Sequence, residues 1–117
     1  MTMKTNQIDY VEFAAEDLAA MKTFYSTVFG WTFQDWGPDY ASFSGAGLDG
    51  GVRGGEKPVI GSTKVILYAD DLNACEQRIV KAGGEILGRH EFPGGRRFHF
   101  LDTTGNELSV WTKVEEA

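Results

Sequence analysis

Glu12 is the carboxylate whose place in the chain best suits it to chemistry. In the run IDYVEFAA (Ile8 to Ala15) it shares one side of a period-two alternation with Tyr10, while Val11, Phe13 and Ala15 take the other side. A carboxylate set beside a phenol on a sheet face can serve as a general base or hold a ligand. The competing role is a buried ion pair with Arg53 or Lys64, which the same alternation aims to that side. Lys64 is then either a cationic anchor for an anionic ligand or the partner in that pair. His99, in RRFHF, turns to the same side if Phe98 and Phe100 face a helix, and with Glu12 it completes the catalytic candidates. His90 lies near an expected turn and reads as solvated, and spacing alone does not bring the two histidines together. Trp111, Tyr68, Trp31 and Trp36 can wall a planar ligand or simply pack, and Trp31 sits at a helix exit where packing suffices. Cys75 falls at helical spacing with Leu72 and Ile79 and reads as core.

These residues need elements to aim them. Asp17 to Phe29 carries Leu18, Met21, Phe24, Tyr25, Val28 and Phe29 at helical spacing, with Asp17 as N-cap and Gly30 suited to a left-handed C-terminal position. Short strands follow over Trp31 to Asp35, Tyr40 to Ser44 and Gly50 to Gly54. The order then restarts: a strand over Lys64 to Ala69, a helix over Leu72 to Ala82 capped by Asp71 and ended by Gly83-Gly84, then strands over Glu85 to His90, Arg97 to Leu101 and Glu107 to Thr112, the last hairpin turning at Gly105-Asn106. A shift of 54 residues lays Asp17-Leu18 on Asp71-Leu72, Val11 on Val65 and Gly30 on Gly84. The sequence therefore predicts an α+β fold of two βαβββ modules, about 6–55 and 62–113, joined by a linker at about 54–62, within one domain of residues 1–117. Val65 and Leu67 oppose Lys64, Ile66 and Tyr68; Val52 opposes Gly51 and Arg53; Leu108 and Val110 oppose Ser109 and Trp111. In each pair one set is small and apolar and fits beneath a helix. The other is polar and aromatic, so the curled mixed sheets should form a ligand cup with the helices on their outer faces.

Composition narrows the function. The chain has 117 residues, 42% of them hydrophobic, and a net charge of −6, so it can build a core but lacks the basic footprint of a nucleic-acid or anionic-membrane binder. No apolar run reaches the ~18 residues of a membrane span, Met1 to Tyr10 has no signal-like apolar stretch, and the single cysteine forbids an internal disulfide, so a cytoplasmic protein is expected. The glycine-rich GAGLDGGVRGG lacks the phosphate-loop pattern, and no serine sits in a nucleophile elbow.

The stretches VEFAAEDLAAMKTFYSTVFGW (Val11–Trp31), ILYADDLNACEQRIVKAGGEI (Ile66–Ile86) and FLDTTGNELSVW (Phe100–Trp111) resemble the vicinal oxygen chelate superfamily of glyoxalases, bleomycin-resistance proteins and extradiol dioxygenases, and are most similar to its small glyoxalase-like members. The resemblance implies paired βαβββ modules around a ligand cavity, frequent dimers, and in the enzymes a divalent metal held by His, Gln or Glu. It carries those metal positions to Tyr10, Gly51, Lys64 and Ser109, none of which is a usual ligand. The expected function is thus metal-free binding of a small molecule, with no cofactor, by Tyr10, Glu12, Arg53, Lys64, Tyr68, Ser109 and Trp111, in a homodimer. The alternatives are a lyase, isomerase or dioxygenase, either with a non-standard metal or with Glu12 as base and Lys64 or Tyr10 as electrophile, and a structural or regulatory dimer without ligand.

Overall fold

The computed structural model describes residues 3–114; the first two residues of the polar N-terminal stretch, 1–2, lie outside them. The described chain forms eight strands and two helices in the order β1 (Gln7–Ala15), α1 (Leu18–Phe29), β2 (Thr32–Asp35), β3 (Tyr40–Ser44), β4 (Asp49–Gly54), β5 (Lys64–Tyr68), α2 (Leu72–Lys81), β6 (Glu85–Phe92), β7 (Gly95–Leu101) and β8 (Glu107–Lys113). This is the expected α+β order of βαβββ followed by βαβββ. The differences are at element ends: β6 runs two residues past His90, and β7 starts two residues before Arg97, because their pairing continues from His90↔Arg97 to Phe92↔Gly95.

The chain divides into two compact units, residues 10–64 and residues 3–9 with 65–114. In the first unit β4 pairs in parallel with β1 and antiparallel with β3, which pairs antiparallel with β2. Asp17 caps α1 by accepting the Ala20 N–H at 3.0 Å, and Gly30 closes it at φ 75°, a conformation that costs glycine no Cβ clash. The inner side of α1 supplies Leu18 and Met21 to a core of Ala15, Phe43 and Val52, with Phe13, Trp31 and Phe33 around it. Tyr25 stacks on Trp31 at 4.6 Å, and Trp31 stacks on Phe43 at 4.7 Å. The outer side of α1 is unusual: Phe24, Val28 and Phe29 are each more than half exposed.

The second unit repeats the scheme. β8 pairs in parallel with β5 and antiparallel with β7, which pairs antiparallel with β6. Asp71 caps α2 through the Ala74 N–H at 3.0 Å, and the chain leaves the helix with the Gly84 N–H on the Ile79 carbonyl at 2.8 Å. Leu72, Phe98 and Val110 form the core beneath α2, with Leu67, Cys75, Ile79 and Phe100 packed against it. Burying a side chain such as the fully enclosed Phe98 contributes roughly 1.5–3 kcal/mol. Of the residues predicted to lie beneath the helices, Phe13, Ala15, Val52, Leu67 and Val110 belong to these two cores, whereas Val11, Val65 and Leu108 are not among their members. The alternation therefore also fixes the opposite face of each unit's sheet.

The turn between β7 and β8 is wider than a two-residue hairpin. Asp102 Oδ1 accepts the N–H groups of Thr104 (2.8 Å) and Asn106 (3.0 Å), and Oδ2 accepts the Asn106 side-chain amide at 2.9 Å. The Asn106 side chain first, then the backbone N–H groups of Asn106 and Thr104, hold the Asp102 carboxyl well below the ordinary carboxylate range. A folded-state pKa below the unfolded value means stability that is present above the unfolded pKa, near ~3.9, and is lost as pH falls through the folded one. Asp102→Ala is expected to lower Tm by several degrees at pH 7, and the gap between wild type and variant should close as pH drops below about 4. Thermal melts across that range check it.

Candidate functional site

On the face of the first unit's sheet opposite α1, four side chains form one connected polar group. Antiparallel pairing sets Tyr40 beside Arg53 and Ser42 beside Gly51, and parallel pairing sets Glu12 beside Gly51. Tyr40 hydroxyl donates to Glu12 Oε2 at 2.8 Å, and Tyr10 and Tyr40 hydroxyls lie 2.8 Å apart. Glu12 Oε1 lies 3.5 Å from Arg53 Nε, an ion pair between side chains 5% and 20% exposed. Arg53 also donates to the Ser62 carbonyl at 2.5 Å and lies 3.5 Å from Glu56 Oε1. Burial, then the charge of Glu12 and the bond to Tyr10, push the Tyr40 phenol far above its usual range, so Tyr40 is a neutral hydrogen-bond donor at any working pH.

Three predicted residues, Tyr10, Glu12 and Arg53, thus meet, and Glu12 has the cationic neighbour that its burial demands. Tyr40 was absent from the candidates. The signal for it was present: Ala41 and Phe43 are the apolar set of YASFS, which turns Tyr40 to the other face. Gly51 explains why it fits. A Cβ on Gly51 would collide with the Tyr40 hydroxyl, stand 2.5 Å from Tyr40 Cζ and lie 2.6 Å from the Tyr10 hydroxyl. The space over this glycine is filled by two phenols. Lys64 opens β5 with its side chain partly buried.

In the second unit the face opposite α2 holds two clusters. Ser109, fully buried, donates to the Phe98 carbonyl at 3.2 Å and lies 3.3 Å from His99 Nδ1, and Glu107 Oε2 lies 3.6 Å from that same nitrogen. Phe98 and Phe100 lie in and against the core beneath α2, as expected, which turns His99 away from it. Serine and carboxylate both approach Nδ1, so the ring cannot relay a proton between them as a Ser-His-acid triad does. His90 is exposed near the end of β6, as expected, and its ring stands edge-on to His99 at 5.2 Å, a meeting that the spacing does not show. The shift of register between Ile86 and Gly88 sets this juxtaposition, and spacing alone does not reveal it. The other cluster joins Tyr68 and Trp111, edge-to-face at 5.1 Å, with Phe92 at 6.2 Å and the Trp111 indole N–H held by Asp9 at 2.9 Å.

Trp31 and Trp36 do not belong to such a wall. Trp31 is stacked between Tyr25 and Phe43 on the helix side of its sheet, and Trp36, 60% exposed, donates its indole N–H to Ser42 Oγ at 2.8 Å. Cys75 packs against the core under α2, and burial pushes its thiol up against the opposing effect of Arg78.

Among the described residues no group of three or more His, Cys, Asp or Glu is placed to hold a metal ion. The four positions to which a metal would be carried do not fit one: the space at Gly51 is taken by the Tyr40 hydroxyl, and the Ser109 hydroxyl is engaged with Phe98. Tyr10 shares its hydroxyl hydrogen bond with Tyr40, and Lys64 is a cation.

The sequence profile of the Glyoxalase/Bleomycin resistance protein/Dioxygenase superfamily matches residues 7–110. No curated protein is detectably similar in sequence. Among solved structures, methylmalonyl-CoA epimerase from Mycobacterium tuberculosis is similar at TM-score 0.74 and 14% identity, over 98% of this chain and 93% of that one. A glyoxalase/bleomycin resistance protein/dioxygenase superfamily member from Vibrio splendidus 12B01 follows at TM-score 0.69 and 15% identity, over 92% and 98%. The Mn(II)-bound glyoxalase from Novosphingobium aromaticivorans matches at TM-score 0.65 and 21% identity, over 99% of this chain but 44% of that one. At these identities the likeness is one of fold.

Proposed function

We propose, because the chain belongs to the Glyoxalase/Bleomycin resistance protein/Dioxygenase superfamily, that it is a metal-free small-molecule binder, with the sheet face of Tyr10, Glu12, Tyr40 and Arg53 as part of its site. One observation carries this reading: the Glu12–Tyr40–Tyr10 chain fills the space over Gly51, where relatives would need a metal-ligating side chain. A family name does not license an activity, and the residues of the site decide. A base role for Glu12 fits them poorly, since one oxygen accepts from Tyr40 and the other faces Arg53. A base must offer a lone pair to its substrate. Binding needs only shape, stacking and a few directed hydrogen bonds.

Purified protein, after nickel, zinc, manganese or iron add-back and dialysis, is expected to hold far less than one metal per chain by elemental analysis. A screen of metabolites by thermal shift is expected to give saturable stabilisation by at least one compound, weakened in Tyr10→Phe and Arg53→Met. Stoichiometric metal that is lost in a Ser109→Ala or Tyr10→Phe variant would overturn the reading. Its alternative, a lyase, isomerase or dioxygenase, would then stand.

The site is proposed to act within a single cytoplasmic domain that pairs as a symmetric homodimer. No helix among the described residues is long and apolar enough to cross a membrane. A chain of net charge −6 repels its own copy unless the contact is neutral, and α1, Leu18–Phe29, carries one charge, Lys22, already bonded to Asp35 at 2.7 Å. Its exposed Phe24, Val28 and Phe29 suit a contact between copies. Light scattering at micromolar concentration is expected to give twice the chain mass, and Phe29→Glu to give the monomer.

A further inference from the structure

Trp36 is held in place yet left mostly bare. Tryptophan is highly buried on average, and here 60% of it is exposed. It belongs to neither core, and among the described residues no other ring lies against it. Exposure alone would mean little, since single apolar side chains on a surface are common. What sets Trp36 apart is that backbone and ring are both tied down. Its backbone N–H donates to the Tyr40 carbonyl at 2.8 Å, which closes residues 36–39 between β2 and β3, and Gly37 at φ 97° and Pro38 restrict that loop. Its indole N–H donates to Ser42 Oγ at 2.8 Å. That bond uses the only polar group of the ring and leaves its flat faces apolar.

The acceptor fixes where the ring lies. Ala41 and Phe43 are buried, Phe43 in the core under α1, so Ser42 between them turns to the opposite face, the one that carries Glu12, Tyr40 and Tyr10. Ser42 is the cross-strand partner of Gly51, and the Tyr40 and Tyr10 hydroxyls stand over Gly51. Such partners are about 5 Å apart, so the indole is anchored directly beside the two phenols. We infer that Trp36 is the stacking platform of this site and that its ligand carries a planar aromatic ring laid on the indole. This rests on the binding function proposed above and adds the class of ligand. A flat ring meets the indole over its whole face, whereas a puckered ring touches it at a few atoms. Ser42 is a positioning residue: it orders the indole before a ligand arrives, which lowers the cost of binding.

Four probes test it. 2-Naphthol, 2-naphthoate and 1-methylquinolinium are planar and differ in charge, and decahydro-2-naphthol is the puckered counterpart of the first. Each is titrated calorimetrically into wild type, Trp36→Ala, Trp36→Phe and Ser42→Ala. The exposed ring lies outside both cores, so these variants are expected to fold. At least one planar probe is expected to bind, about tenfold more weakly in Trp36→Ala, with part of the loss recovered in Trp36→Phe. Ser42→Ala, which keeps the ring but not its anchor, is expected to cost about threefold. Decahydro-2-naphthol is expected to bind weakly and equally to all four proteins. The indole N–H resonance that disappears in Trp36→Phe should shift upfield as the planar probe saturates wild type. Planar binding unchanged in Trp36→Ala, or a puckered probe that matches the planar ones, would overturn the inference and leave the binding function intact. No binding by any planar probe would also overturn it, while the binding function would still be decided by the metabolite screen and its Tyr10→Phe and Arg53→Met variants. A monomer by light scattering for Trp36→Ala, where wild type is a dimer, would assign the indole to a contact between copies and overturn the stacking role.

Discussion

Gly51→Ala is expected to destabilise the protein by about 1–3 kcal/mol, the cost of forcing extra volume into a filled site, and to abolish whatever ligand stabilisation the wild type shows. The added Cβ has nowhere to go. It would meet the Tyr40 hydroxyl head-on and stand 2.6 Å from the Tyr10 hydroxyl, and Glu12 is the cross-strand neighbour on the other side. Tyr40 can make room only by giving up its bond to Glu12, which leaves a buried carboxylate poorer by one donor. The effect should therefore be coupled to Tyr40. In a Tyr40→Ala background the alanine at position 51 should cost much less, because the ring and hydroxyl that it strikes are gone. Urea denaturation of the four proteins gives the coupling directly. Equal costs in both backgrounds would mean that the glycine matters for some reason other than the phenols above it.

The fate of this glycine shows what the sequence could and could not disclose. Alternation placed Tyr10 and Glu12 opposite Phe13 and Ala15, and both helix caps, Asp17 and Asp71, stood in the letters, because these features depend on near neighbours. Arg53 could be assigned to the same side as Glu12 from the parity of β4, and the ion pair followed from the cost of burying a carboxylate. Tyr40 required one more step, the register between β3 and β4, which sets Tyr40 against Arg53 and Ser42 against Gly51. A loop of four residues between those strands does not define that register by itself. The meeting of His90 with His99 depended on a register shift inside the β6–β7 pair, which no periodicity records. The sequence leaves Trp31 open between core and ligand wall, and only the positions of Tyr25 and Phe43, which stack against it, decide for the core.

Arg53→Met is expected to destabilise by roughly 3 kcal/mol, the scale for removing one partner of a buried ion pair, although methionine keeps much of the apolar stem. Glu12 is 4% exposed as a residue and cannot recover the lost charge interaction from water. Arg53 is also the group that gathers neighbouring chain: it donates to the Ser62 carbonyl and pairs with Glu56, so its loss should loosen the segment between β4 and β5. Two contributions can be separated with Glu12→Gln. If the uncompensated carboxylate is the main cost, the Glu12→Gln/Arg53→Met double variant should be more stable than Arg53→Met alone, by a third of the loss or more in urea denaturation. If the tether to Ser62 and Glu56 dominates, the double variant should recover nothing, while hydrogen exchange in residues 55–63 speeds up.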